Sequence, residues 1–162
     1  MEKQPQRPVL GALETQLSFE EAQSLCAMED MPVEAFSFTG GGAPGAQLAK
    51  SEWRGCALKG VCLRGADLRG AYFRDVSFLN CDFAGAALIG ATLHRCAFED
   101  CRLTGANFSA GALADVRFFG CVAQSAAFSE CGMKAVLFEQ TDLSGAAFCD
   151  IGLRRRAAFA FK

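Results

Sequence analysis

The sequence predicts an all-β solenoid, and three observations carry that prediction. Large apolar residues recur every five positions, and a second period of twenty is laid over the first. The composition fits a repeated large-and-small core, with 15 Phe against one Tyr and one Trp, 17 Gly and only four Pro in 162 residues. An α-helix repeats its apolar face near 3.6 and a strand near 2, so a step of five belongs to neither. The length suits one domain with a core of its own.

The stretch CLRGADLRGAYFRDVSFLNCDF (62–83) displays the first period in Leu63, Leu68, Phe73, Phe78 and Phe83. Stepping by five keeps phase without insertion from Trp53 to Leu153, which is 21 consecutive units. Two places before most of these stands a small residue. Ala123 and Met133 replace the usual Leu or Phe, and Gly111 replaces the small side chain, so some slack is expected there. The second period stacks Leu58, Phe78, Phe98, Phe118 and Phe138 in one column. It stacks Leu68, Leu88, Phe108, Phe128 and Phe148 in another, over Ala66, Ala86, Ala106, Ala126 and Ala146. A period of five does not require one of twenty, so the longer repeat is independent support for four units per coil. No single unit is stable alone; stacking makes the core continuous. Corners at Gly60, Gly65, Gly70, Gly85, Gly90, Gly105 and Gly145 suit backbone angles that other residues resist.

Nine cysteines raise the question of a disulfide framework, but the number is odd. Cys56, Cys81, Cys96, Cys101, Cys121 and Cys131 fill the small position and alternate there with Ala and Val, so they read as small buried hydrophobes. Cys26, Cys62 and Cys149 lie outside that row, and the last two are expected as exposed thiols. No C-x-x-C pair or His cluster points to a metal.

The units ADLRG (66–70), ANFSA (106–110) and TDLSG (141–145) resemble the A-D/N-L-x-x unit of the pentapeptide-repeat family. The resemblance covers about two-thirds of the chain. It implies a right-handed quadrilateral β-helix with four pentapeptide units per coil, here in five to six coils.

The ends read differently. Residues 1–35 form an N-terminal segment, with a short capping helix expected at about 19–29. Ser18 and Glu21 there form a capping box, and Ala22, Leu25 and Cys26 form the apolar stripe. The repeat is expected over 36–155 and a C-terminal tail over 156–162. Arg156 interrupts the pattern, and Phe159 and Phe161 offer an apolar end through which two copies could pair as a homodimer. No signal-peptide core or membrane-spanning stretch is visible, so a cytoplasmic location is expected.

Chemistry is sparse. GGGAPG (40–45) satisfies G-x-G-x-x-G, but a dinucleotide loop also needs a preceding strand and a helix that starts within the motif. The five-residue phase and Pro44 argue for a turn instead. His94, the one histidine, sits at an outward position without a partner suited to catalysis. No catalytic residue, metal ligand or cofactor site is expected.

Charge and outward apolar positions define the candidate interaction surface. Arg54, Lys59, Arg64, Arg69 and Arg74 each follow a central residue and make a basic band around one coil. Residues 75–150 carry nine acids against four bases. Stacking by twenty also aligns Arg54, Arg74 and His94, with Lys134 and Arg154 further along. Leu79, Phe119 and Leu137 occupy outward positions on a shared face, and Ile89 and Val122 are outward too.

The leading expectation is a non-catalytic scaffold whose rigid faces bind another protein. The family resemblance implies a second reading. Some of its members mimic duplex DNA, bind DNA gyrase or topoisomerase IV, and protect them from quinolones. A third reading is polyanion binding through the basic band. Nucleic acid is a poor partner for a coil of balanced charge without interleaved exposed aromatics, and no membrane association is expected.

Overall fold

A computed structural model of the chain describes residues 4–15, 17–28 and 31–153. The C-terminal tail expected over 156–162, its proposed pairing of two copies, and Arg154 lie outside the described residues. The fold is a parallel β-solenoid of about five turns with one short helix. In chain order the elements are α1 (Phe19–Cys26), β1 (Val33–Glu34), β2 (Ser37–Thr39), β3 (Glu52–Arg54), β4 (Ala57–Lys59), β5 (Tyr72–Leu79), β6 (Thr92–Glu99), β7 (Ala112–Phe119), β8 (Gly132–Glu139) and β9 (Gly152–Leu153).

All pairing is parallel and, apart from the Glu14–Phe36 bridge, in steps of twenty. Val33 pairs with Trp53, Trp53 with Phe73, Phe73 with Leu93, and so on through Leu113 and Met133 to Leu153. One side of the coil carries the long strands β5 to β8. The other side is held by isolated bridges, such as Cys62 with Asp82 and Asp67 with Ala87. Each quarter turn closes at a residue with positive φ, from Ala35 to Asp150 in steps of five. At Gly65 that angle costs nothing, whereas Asp75, Arg95 and Asp115 hold it with side chains attached.

The Asp or Asn of the repeat unit has a backbone task. Its carboxylate or amide oxygen accepts the N–H two residues on, at 3.2 Å from Arg69 to Asp67, 2.9 Å from Ser109 to Asn107 and 2.9 Å from Ser144 to Asp142. These are Asx turns, which explains why a short side chain with an acceptor recurs there.

Inside, the columns stack at close spacing. Phe78, Phe98, Phe118 and Phe138 lie face to face at 4.7, 4.9 and 4.7 Å between ring centres. Phe108, Phe128 and Phe148 do the same at 4.9 and 5.1 Å, and the two columns meet edge to face. Burying each large side chain contributes about 1.5–3 kcal/mol before ordering is charged against it.

The expected slack is absent. Ala123 and Met133 are fully buried. At Gly111 an added Cβ would lie 2.8 Å from the Phe108 carbonyl oxygen and 3.0 Å from that of Ala91. Glycine is present there because two backbones approach, not because a side chain is missing from loose space. The six row cysteines are buried and also donate S–H to the carbonyl 23 residues back, as Cys101 does to Phe78 at 3.4 Å. Burial pushes the Cys96 thiol up to about 12. Cys149 is exposed, but Cys62 is half-buried rather than an exposed thiol.

Helix α1 covers the first coil. Ser18 caps it, accepting from the Glu21 N–H while Glu21 accepts from the Ser18 N–H at 2.7 Å. It ends at Cys26, short of residue 29, because the Met28 N–H turns to Leu25 and the chain must enter β1 beyond Pro32. Its anchor is Phe19, stacked 5.8 Å from Trp53 and edge-on to Phe38; Leu25 and Cys26 are only half-buried. The glycine run admits this helix. A Cβ on Gly41 would lie 3.2 Å from that of Phe19, Gly42 donates to Glu20 at 3.2 Å, and a Cβ on Gly42 would run into the Cys62 carbonyl oxygen of the next coil.

Candidate protein-binding face

The basic band is largely closed by its own carboxylates. Arg54 pairs with Glu52, Arg64 with Asp82 at 2.9 Å, and Arg69 with Asp67 at 2.6 Å; Arg74 lies 3.6 Å from Asp75. The Arg69 hydrogen bond holds Asp67 down to about 2. Lys59 is exposed and has no ion pair among the described residues. The register does align Arg54, Arg74, His94, Ala114 and Lys134, but His94 is half-buried rather than free in solvent.

The apolar positions separate. Ile89 and Val122 are exposed, at 40% and 41%, while Leu79 and Phe119 are half-buried in the ladder Leu79, Glu99, Phe119, Glu139. The Arg117 guanidinium sits 4.7 Å over the Phe119 ring and donates to Glu139 at 2.8 Å. Leu137 is not a surface residue: it is only 5% exposed, at the end of the column Ser77, Ala97, Arg117, Leu137. Alternation along a strand places it outward, and tertiary packing buries it.

The chain's own start also lies against these strands. The Val9 N–H donates to Asp75 at 3.0 Å, and the Gln6 N–H to Asp115 at 3.2 Å. Residues 4–10 therefore lie along the corner column Asp75, Arg95, Asp115 of β5 to β7. Asp75 is almost buried and takes three donors, since Arg95 also reaches it through Nε at 2.7 Å and Nη2 at 2.6 Å. The Arg95 bonds, with the Val9 N–H behind them, hold the Asp75 carboxyl below the ordinary carboxylate range. A cavity of about 400 Å³ remains between this segment and the face.

Two family models describe this repeat: the pentapeptide repeat region matches residues 71–148, and pentapeptide repeats (8 copies) match 45–75 and 54–86. The chain belongs to the pentapeptide-repeat family. Among solved pentapeptide-repeat structures it is similar to HetL, involved in heterocyst differentiation regulation in the cyanobacterium Nostoc sp. strain PCC 7120. The TM-score is 0.45 at 20% identity, covering 72% of this chain and 59% of that one. It is similar to QnrB1, a plasmid-mediated fluoroquinolone resistance protein, with TM-score 0.43 and 19% identity over 74% of this chain and 62% of that one. A pentapeptide repeat protein from the Arabidopsis thaliana thylakoid lumen gives 0.38 and 23% identity over 72% and 66%. The chain thus spans about three-fifths of the length of the first two. No curated protein matches the sequence.

Two parts of this pentapeptide-repeat surface escape sequence reading. The docking of residues 4–10 carries no apolar period, and its one signal is the spacing of Pro5 and Pro8. Asp75 and Asp115 read as ordinary corner residues until the segment is seen beside them. Among the described residues no group of three or more His, Cys, Asp or Glu is placed to hold a metal, and no helix is long and apolar enough to cross a membrane.

Proposed function

We propose that this pentapeptide-repeat chain is a non-catalytic scaffold that binds another protein through its solenoid faces, in the cytoplasm. The observation that carries the reading is the division of labour along each coil. Nearly every inward position is given to a continuous apolar core, Ser51 and Thr141 being polar, and the outward positions of β5 to β8 carry Leu79, Phe119, Arg117 and Glu139 on a stiff ladder. A rigid face loses little freedom on binding, so modest contacts suffice. The test is affinity capture from the native cell with the wild-type chain and a Leu79→Ser, Phe119→Ser variant. Retention of wild-type partners and their loss with the variant supports the reading; identical capture sinks it for this face.

The excess of acids over residues 75–150 favours a second reading, a DNA mimic that binds DNA gyrase or topoisomerase IV and protects it from quinolones. Three of those nine acids, Asp75, Asp82 and Glu139, are already paired with arginines, which weakens any continuous acidic face. The expected result is unchanged gyrase supercoiling with and without a quinolone, and protection near stoichiometric protein reverses the ranking. Polyanion binding stands third, since Arg54, Arg64 and Arg69 are each engaged by a carboxylate.

A further inference from the structure

We propose that the face of β5 to β8 is a docking site for an extended partner segment with prolines three residues apart, and that residues 4–10 occupy it in cis. The inference rests on the scaffold reading and names its site and ligand class.

The segment Gln4-Pro5-Gln6-Arg7-Pro8-Val9-Leu10 behaves as a bound peptide. Pro5 and Pro8 are half-buried, while Gln4, Gln6, Arg7, Val9 and Leu10 are exposed. A period of three is that of the polyproline II helix, whose backbone makes no internal hydrogen bonds and leaves its N–H groups to a partner. Each N–H used here, of Gln6 and Val9, follows a proline. The spacing matches the receptor. Three residues of polyproline II rise about 9.3 Å, and Asp75 to Asp115 spans two coils of about 4.8 Å each. A proline-spaced peptide therefore meets a carboxylate on alternate coils without strain. Arg7 and Pro8 line one cavity with Ala97, Glu99 and the Arg117–Glu139 pair, so the segment's cation shares the cavity with the Glu99 carboxylate and with one that Arg117 already engages. The ligand class is a Pro-x-Arg-Pro-like segment in extended form.

The segment is also poorly sealed to its site. The cavity of about 400 Å³ between it and the face leaves room that a better-fitting peptide would fill. Arg117, which lines the cavity, has a buried Nε without a hydrogen-bond partner. Glu14, which bridges to Phe36, fastens the chain beyond Leu10, so residues 4–10 can leave without disturbing the first coil.

The test uses the full chain carrying Gln6→Pro and Val9→Pro. These changes remove both N–H donors yet suit polyproline II angles. The probe is a fluorescein-labelled QPQRPVL peptide, followed by anisotropy. Saturable binding to the double variant, at least tenfold tighter than to wild type, is expected, because the intact segment competes in the wild-type chain. Asp115→Ala in the double variant should weaken the peptide at least fivefold. Alanine already holds the same corner at Ala135, so this change is structurally mild. Should the double variant lose its far-UV dichroism, Val9→Pro alone replaces it. No peptide binding, or equal binding with and without Asp115, overturns the proposal. A concentration-dependent dimer in sedimentation, with the peptide excluded, overturns it in favour of a second copy as occupant. If the peptide fails while capture still depends on Leu79 and Phe119, only this inference falls; if both fail, the scaffold reading falls too.

Discussion

Two corners of the same coil obey one backbone rule and serve different ends. The corner column from 65 to 145 is glycine except at Ser125. The column at 75, 95 and 115 takes the same positive φ with Asp, Arg and Asp, and there the side chains pair with each other and hold residues 4–10. The glycine column sits on the side held by isolated bridges, and the charged column joins the two faces of the long strands. A repeat this regular fixes where a side chain stands and leaves open what it does. At this corner the residues that stand in place of glycine take up contacts outside the repeat.

That contrast can be broken from inside or outside, and the core gives the largest effect. Phe118→Ala, in mid-stack and in contact with four rings, should cost about 3–5 kcal/mol in denaturant unfolding. It strikes both corners equally, so it measures what they share. Gly111→Ala follows at about 1–3 kcal/mol, from overpacking against two carbonyls, and is checked the same way.

Separating the corners needs subtler changes. The Asp75 carboxyl is held below its ordinary range, so its contribution is complete above the unfolded value of about 4. It is lost as pH falls through the lower, folded value. Docking of residues 4–10 should loosen across that acid window in wild type and show no such transition in Asp75→Asn, as read by Val9 amide exchange against pH. The smallest effect is expected at the other corner. Gly65→Ala should cost about 1–2 kcal/mol for a left-handed alanine, with residues 4–10 undisturbed in their Gln6 and Val9 amide signals.

The columns of the core were legible because a buried position has one job, and periods of five and twenty record it residue by residue. The capping box of Ser18 and Glu21 was legible for the same reason, as a local rule with local partners. Gly111 was misread, because a missing side chain looks alike in loose and in crowded space. Phe19 was missed as the anchor of α1 because the apolar stripe was begun one turn late, at Ala22. Leu137 and the Pro5–Pro8 segment were illegible for a deeper reason. The Val9–Asp75 and Gln6–Asp115 contacts, 66 and 109 positions apart, leave no period, and outward residues such as Leu137 are packed by partners that the repeat does not encode.

The central claim is that residues 4–10 are a separable ligand on an otherwise indivisible rod. Native-state hydrogen exchange tests it most directly. The Gln6 and Val9 amides are predicted to exchange through a local opening, at least a hundredfold faster than Phe98 and Phe118 in the stacked strands, and to stay nearly insensitive to mild denaturant while the strand amides accelerate. Exchange of all four amides at one rate, through a single global unfolding, would contradict the account.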